Sequence, residues 1–359
     1  MSEDSVVSLT DVEVHFESDS GIFSRIKESD VVKAVNGVSL DIPENDVVAL
    51  VGESGCGKTT LGKTAIGVQR PTEGSVEYER QDIWDAKDKN GDVTIPFSAI
   101  RQSLQIIHQD PGSSLNPNKT VQHTLSVPLR MRQSGMDTFE RRERIHEMLS
   151  RVGMKPPDDY ANRFPHQLSG GEKQRVALIR ALLMNPDLIL ADEAVSALDV
   201  SLRIDMMDLM LELQDQFDTS FLFISHNLSN ASYIAGKADG RIGIMYLGEL
   251  VEMGPIDEVL WNPKHPYTKA LMWATPNLDP DMEDENESSL RQIDVPDPRH
   301  PPSGCRFHTR CPVAREECRR TIPESVSVDE NEKHEVSCFR SIENHEYWDS
   351  PELTGNEIR

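Results

Sequence analysis

Val47-Val48-Ala49-Leu50-Val51-Gly52-Glu53-Ser54-Gly55-Cys56-Gly57-Lys58-Thr59-Thr60 is an apolar run that breaks into a glycine-rich turn closed by a lysine and two threonines. Val47 to Val51 is short and continuously apolar, which predicts a buried strand. Gly52, Gly55 and Gly57 carry no Cβ, so the backbone after the strand can curl and aim successive N–H groups inward at an anion. Gly52 and Gly57-Lys58-Thr59 fit G-x-x-x-x-G-K-[ST], in which Lys58 reaches the β- and γ-phosphates of a nucleotide and the Thr59 hydroxyl ligates Mg²⁺. A helix starting near Lys58 adds its positive N-terminal end to the same place. Ser54, Gly55 and Thr60 complete the expected cradle, with Cys56 a small packing residue inside it.

The rest of the chain bounds what such a cradle can serve. Its 359 residues suffice for a large domain with an appendage or for two domains. Against 61 Asp and Glu stand only 37 Lys and Arg, a net charge of −24. Nucleic-acid binding needs clustered cations, so nucleic acid is excluded as a partner. A carboxylate coat of this density predicts a halophilic protein, because high salt screens the self-repulsion. There is no run of about 18 apolar residues, and Met-Ser-Glu-Asp-Ser at the start has neither a basic nor an apolar signal region. The expectation is a chain kept in the cytoplasm. In that reducing compartment five cysteines point to metal or redox chemistry rather than disulfides.

Residues 6–16 alternate apolar and polar, with Val12, Val14 and Phe16 on one face of a predicted antiparallel strand. Val31 to Ile42 reads as two strand pieces around Asn36-Gly37, and residues 80–99, with Asn90-Gly91, as an exposed insertion. Leu104 to Gln109, Leu188 to Ala191 and Phe221 to Ile224 are three more short apolar strands. They finish at Gln109, at Asp192-Glu193 and at Ser225-His226. Between 117 and 180 the pattern turns helical: Ile145, Met148, Leu149 and Val152 recur at helical spacing behind a Thr138 cap, with Gly153 as the stop. Leu202, Met206, Leu209, Leu213 and Phe217 mark the inner face of a crossover helix. Residues 243–254 predict a hairpin turned at Leu247-Gly248, and Ile256 to Leu260 a short helix. In an open α/β sheet ligands sit at the carboxyl ends of the strands, so these polar termini can converge on one nucleotide. Asp192 is then the Mg²⁺ carboxylate, Glu193 the group that orients or deprotonates the attacking water, and His226 a donor to the γ-phosphate.

Leu168-Ser169-Gly170-Gly171-Glu172-Lys173-Gln174-Arg175, with the phosphate loop upstream and Asp192-Glu193 downstream, resembles the ATP-binding cassette ATPases over residues 6–255. The resemblance implies an α/β P-loop nucleotide-binding domain with an antiparallel β subdomain and an inserted helical subdomain near 117–180. It implies that Phe16 stacks on adenine, with His15 and Phe23 as the other candidates, and that Gln109 senses Mg²⁺ and the water. Ser169, Gly170 and Gly171 would touch the γ-phosphate held by another subunit, and Ser196-Ala197-Leu198-Asp199 would cross to that partner.

Cys305, Cys311, Cys318 and Cys338 are spaced C-x₅-C-x₆-C-x₁₉-C, without a paired C-x₂-C knuckle. Four thiolates can hold an iron–sulfur cluster or Zn²⁺. Gly304 to Pro312, His265-Pro266-Tyr267-Thr268-Lys269-Ala270-Leu271 and Glu193 to Asp199 resemble the dipeptide and oligopeptide importer ATPases, some of which carry a [4Fe–4S] cluster. The organisation implied is an ATPase domain over 1–275, an acidic Pro-rich linker over 276–302, a Cys-rich region over 303–342 that binds metal or cluster, and a polar, mobile tail over 343–359. The resemblance further implies ATP and Mg²⁺, a second ATPase subunit in a homo- or heterodimer, two integral membrane permease subunits, and through them an extracellular solute-binding protein. The chain would sit peripherally on the cytoplasmic face of the membrane. The cargo stays open among peptides, nickel and oligosaccharides. A soluble cassette ATPase acting on ribosomes or DNA is the rival, disfavoured by the single cassette, the lack of a long coiled coil and the net charge.

Overall fold

The computed structural model describes residues 5–17, 31–133, 135–275, 290, 294–329 and 333–353. Its strands are β1 (Ser5–Glu17), β2 (Val31–Pro43), β3 (Val47–Val51), β4 (Glu73–Tyr78), β5 (Gln81–Asp82), β6 (Leu104–Ile107), β7 (Leu188–Asp192), β8 (Ser220–Ser225), β9 (Arg241–Tyr246), β10 (Glu249–Pro255), β11 (Val326–Ser327) and β12 (Glu335–Val336). They form a four-stranded sheet, β2-β1-β4-β5, and an eight-stranded sheet, β11-β12-β10-β9-β3-β8-β7-β6. In the larger sheet β9, β3, β8, β7 and β6 run parallel, while β10, β12 and β11 continue it antiparallel.

The apolar runs become central strands because parallel strands are covered on both faces. Every residue of β3, β7 and β8 is buried. The two-residue period then distributes their side chains among separate cores. Val47, Ile189, Phe221 and Phe223 pack with Leu178, Met206 and Met210 of the helical side. Val48, Leu50, Leu190 and Ile224 pack with Leu61, Ile66, Val7 and Val38 under the antiparallel sheet. Ala49 and Val51 join Leu228, Ala231, Tyr246, Tyr267 and Phe307 in a third core that reaches the C-terminal region.

The inserted helices are Val121–Arg132, Thr138–Arg151, Pro157–Asn162 and Gly170–Leu182. The cap of the second is Asp137 rather than Thr138: its carboxylate accepts from the N–H groups of Phe139 and Glu140, and Glu140 reaches back in a capping box. Helix Val200–Phe217 buries Met206, Met207, Leu209, Met210 and Leu213, whereas Leu202, expected on the inner face, lies on its exposed first turn.

Three further expectations change. β2 is one continuous strand in which Gly37 takes a left-handed φ of 65°. Residues 80–99 are not a solvent loop: Asp82 caps the helix Ile83–Asp88, and Ile83, Trp84 and Ala86 are buried against the antiparallel sheet. Part of the tail is anchored, since Tyr347 and Leu353 are buried, the Tyr347 hydroxyl donates to Val313 O at 2.8 Å, and the Leu353 N–H donates to Ala314 O at 3.1 Å. Most of the predicted linker, 276–289 and 291–293, and Phe23 lie outside the described residues.

The C-terminal region is joined to the main sheet through β12, which pairs with β10. Behind that seam Glu252 is buried beside His334, Oε1 to Nε2 at 2.8 Å, and accepts from the N–H groups of Lys264 and His265 at 2.7 and 3.0 Å. A buried carboxylate with this many partners holds its segment firmly, because removing one leaves an uncompensated charge. Among the described residues no helix is long and apolar enough to cross a membrane.

Candidate functional site

The phosphate loop leaves β3 at the middle of the sheet and enters the helix Lys58–Ala65. Two of its glycines are dictated by contacts inside the chain. A Cβ on Gly52 would lie 2.0 Å from Met245 O, and one on Gly57 would lie 2.1 Å from Ala34 O, where the backbone φ is already +106°. Lys58 is buried, and its ammonium donates to Gly52 O at 2.7 Å and Glu53 O at 2.9 Å, with Cys56 Sγ at 3.6 Å. The lysine thus closes the loop into a ring about its own charge. Cys56 is buried as expected of a packing residue, and burial pushes its thiol above the ordinary pKa.

At the carboxyl ends of the neighbouring strands the expected groups assemble. The Thr59 hydroxyl donates to Asp192 Oδ1 at 2.8 Å. Glu193 follows Asp192 in a left-handed conformation, φ 51°, with its N–H on Ile224 O at 3.1 Å. His226 Nδ1 lies 3.2 Å from Glu193 Oε1, with His226 about half exposed. A cleft of about 730 Å³ is lined by Ser54, Gly55, Gly57, Lys58, Thr59, Thr60, Gln109, Asp192 and Glu193. His226 borders it through Glu193, while Gly52 and Cys56 of the loop are not among the residues that line it.

Ala34, Lys63, His108, Asp110 and Arg180 also line the cleft and were not singled out by the sequence. Lys63 had one available signal, since it follows Thr59 by one helical turn and so shares its face. Arg180 had none, because a helix in the inserted subdomain carries it. Burial pushes the His108 imidazole below its ordinary pKa against the pull of Asp192 and so favours its neutral form.

Phe16 is not a wall of the cleft. It pairs with Val32, two residues from Ala34, and is 43 % exposed at the end of β1. Ser169, Gly170 and Gly171 also lie outside. Ser169 caps the helix Gly170–Leu182, accepting from Glu172 N at 3.3 Å while Glu172 accepts from Ser169 N at 2.7 Å. Here the glycines answer no internal contact: a Cβ on either would meet only methyls of Leu198 and Leu202, at 3.7 Å or more. From the same helix Gln174 donates to Ala194 O and ties the signature to the Asp192-Glu193 turn.

Two family models match the chain, "ABC transporter" over residues 35–196 and "Oligopeptide/dipeptide transporter, C-terminal region" over 251–318. The oligopeptide transport ATP-binding protein AppF of Bacillus subtilis (strain 168) is 42 % identical over 338 residues, 94 % of this chain and 98 % of that one. The oligopeptide transport ATP-binding protein OppF of Escherichia coli (strain K12) is 40 % identical over 335 residues, 93 % and 96 % of the two chains. The chain belongs to the ABC transporter ATPases. In solved form it is similar to the ATP-binding cassette MJ0796 in a dimeric post-hydrolysis state bound to ADP and Pi, with a TM-score of 0.57 and 27 % identity over 70 % of this chain and 98 % of that one. The ATPase is therefore an ATP-hydrolysing transporter subunit, and the ribosome- or DNA-acting rival is not favoured.

The second match ends at Cys318, within the cysteine-bearing region of this ABC ATPase. Cys305, Cys311, Cys318 and Cys338 all line one cavity, walled by Phe307, Phe339 and Tyr347. The expected ligand set is not assembled: among the described residues no group of three or more His, Cys, Asp or Glu side chains is placed to hold a metal ion. Burial, reinforced by the neighbouring thiols, pushes Cys305 well above its ordinary pKa, and burial takes Cys338 to about 11.

The loop geometry of the ATPase carries a prediction. Gly57→Ala combines a left-handed φ with backbone overlap, strain of about 1–3 kcal/mol or more. Titration with a fluorescent ATP analogue should show affinity weakened at least about tenfold, with the circular dichroism spectrum of the folded chain retained.

Proposed function

We propose that this subunit energises uptake of di- or oligopeptides, closing with a second ATPase subunit around two ATP molecules. The peptide cargo is supported by the C-terminal family match and by the oligopeptide-transport relatives, and the closure by the helix start at Ser169-Gly170-Gly171, a terminus suited to an anion that lies outside its own chain's cleft, with glycines that no internal contact requires. In the closed pair it would cap the γ-phosphate held by the other subunit's loop, and Ser196 to Asp199 would run along the seam.

Within the cleft, Lys58 and the N–H groups of the loop and of Thr59 and Thr60 would hold the triphosphate, and Phe16 at the rim would stack on adenine. Thr59 Oγ1 and Asp192 Oδ1, already 2.8 Å apart, are hard oxygen donors suited to Mg²⁺. When bound, that ion neutralises phosphate charge. Glu193, whose backbone N–H is held by Ile224 O, orients the attacking water and takes its proton, and His226, 3.2 Å from the Glu193 carboxylate, donates to the γ-phosphate. Gln109, two residues past the end of β6, senses Mg²⁺ and the water and reports the state of the cleft to two integral membrane permease subunits, which are served by an extracellular solute-binding protein. The ATPase then lies on the cytoplasmic face of the membrane. Glu193→Gln should still bind ATP but hydrolyse it at least about 100-fold more slowly. Near-normal phosphate release in a steady-state assay would sink the assignment.

The four cysteines are proposed to receive a [4Fe–4S] cluster, with Zn²⁺ as the alternative. Support comes from their shared cavity and from the four-thiolate chemistry such clusters use. Protein purified without oxygen should show broad brown absorbance and about four iron atoms per chain. Stoichiometric zinc without iron would replace the cluster.

The net charge of −24 supports a protein adapted to high salt. Raising KCl from about 0.1 M to about 1 M shortens the screening length from about 10 Å to about 3 Å, and the thermal midpoint should climb across that range. A midpoint that stays flat or falls would refute the halophilic assignment.

A further inference from the structure

Two segments that the cleft does not use, His265-Pro266-Tyr267-Thr268 and Gly304 to Cys311, meet behind the phosphate loop. The Glu53 N–H donates to the Tyr267 hydroxyl at 3.0 Å. Arg310 grips the Glu53 carboxylate with both terminal nitrogens, Nη1 to Oε2 at 2.8 Å and Nη2 to Oε1 at 3.0 Å. The Glu53 carbonyl accepts from Lys58 at 2.9 Å. Every polar group of this residue is therefore engaged, and Ser54, the next residue, already lines the cleft.

The clamp is itself well founded. The Arg310 side chain is 4 % exposed and lies over the rings of Tyr246 and Phe307 at 5.7 and 5.8 Å. Phe307 packs against Tyr246, Tyr267 and His265 with centroids 5.2, 5.3 and 5.7 Å away. On the same turn Arg306 reaches Leu247 O and lies 2.9 Å from Glu249 Oε1. That hairpin turn in its turn meets the phosphate loop, since the Gly248 N–H donates to Cys56 O at 2.8 Å.

Glu53 poses a problem that the clamp answers. It is a carboxylate inside a loop that must receive a polyanion, and like charges at close range disfavour binding. A bidentate guanidinium cancels that charge and fixes its direction. We propose that Arg310 and Tyr267 are positioning residues of the nucleotide site, which neutralise and immobilise Glu53 so that ATP affinity depends on the C-terminal region. The inference rests on residues 52–60 being the nucleotide cradle.

The test is a double-mutant cycle on the full chain, read as the Kd of a fluorescent ATP analogue, with circular dichroism to follow folding. Arg310→Ala should weaken binding about tenfold or more when residue 53 is Glu, and less than about threefold when it is Gln. A loss of mere packing would give the same factor in both backgrounds, and that result, or no loss at all, would overturn the proposal. Should Arg310→Ala not fold, Tyr267→Phe, which removes a single oxygen, decides: a Kd weakened about threefold supports the clamp, and an unchanged Kd overturns it. Lys58→Ala separates the two levels. If it binds as the unmutated chain does, the cradle falls and the clamp with it; if it loses binding while Arg310→Ala does not, only the clamp falls.

Discussion

A backbone that turns its amides toward an anion turns carbonyls and side chains the other way, and those groups must be satisfied by something else. In this ATPase the loop after β3 is satisfied from four directions. Lys58 takes the carbonyls of Gly52 and Glu53, Gly248 takes that of Cys56, Tyr267 accepts the Glu53 N–H, and Arg310 holds its carboxylate. The partners come from the adjoining helix, the β9–β10 turn, the helix Pro266–Trp273 and the cysteine-bearing turn. Three of the four partners, Gly248, Tyr267 and Arg310, come from the C-terminal half of the chain.

This explains which parts were legible in the sequence. Lys58 and Thr59 sit within a few residues of the glycines they serve, so spacing alone identifies them. Asp192, Glu193 and His226 were readable because each follows an uninterrupted apolar run, and parallel strands deliver their ends to one edge. Arg310 is 257 positions from Glu53, and no local pattern marks an arginine whose partner is that distant. The same limit hid Arg180 in the cleft. Trp84 and Ile83 were misjudged for another reason: charged neighbours dominate residues 80–99, yet a single capped helical turn is enough to direct three apolar side chains into the core. Polar composition likewise hid the anchored tail, where burial of Tyr347 and Leu353 outweighs the surrounding charges.

Charge is distributed on a matching principle. A chain with 37 cations and 61 carboxylates places several of its cations where they are structurally or chemically committed. Lys58, Lys63 and Arg180 line the cleft, while Arg306 and Arg310 are buried against Glu249 and Glu53. A chain of net charge −24, with a cleft in which Lys58, Lys63 and Arg180 face Asp110, Asp192 and Glu193, does not assist the long-range approach of a polyanion. Affinity has to be generated at contact, from oriented amides and the cleft's few cations, and a loop held rigidly from behind is the way to make those contacts count.

The signature helix obeys a different constraint, and the contrast is informative. Gly52 and Gly57 are required by Met245 O and Ala34 O of the same chain, so their identity follows from the fold. Gly170 and Gly171 face only distant methyls, so the fold would tolerate a methyl group at either. In the proposed closed pair, what meets that helix start comes from outside the chain, toward the Gly170 and Gly171 amides, since those of Ser169 and Glu172 are taken by the capping box. Gln174 of the same helix donates to Ala194 O, so one side chain ties this helix to the turn that carries Glu193.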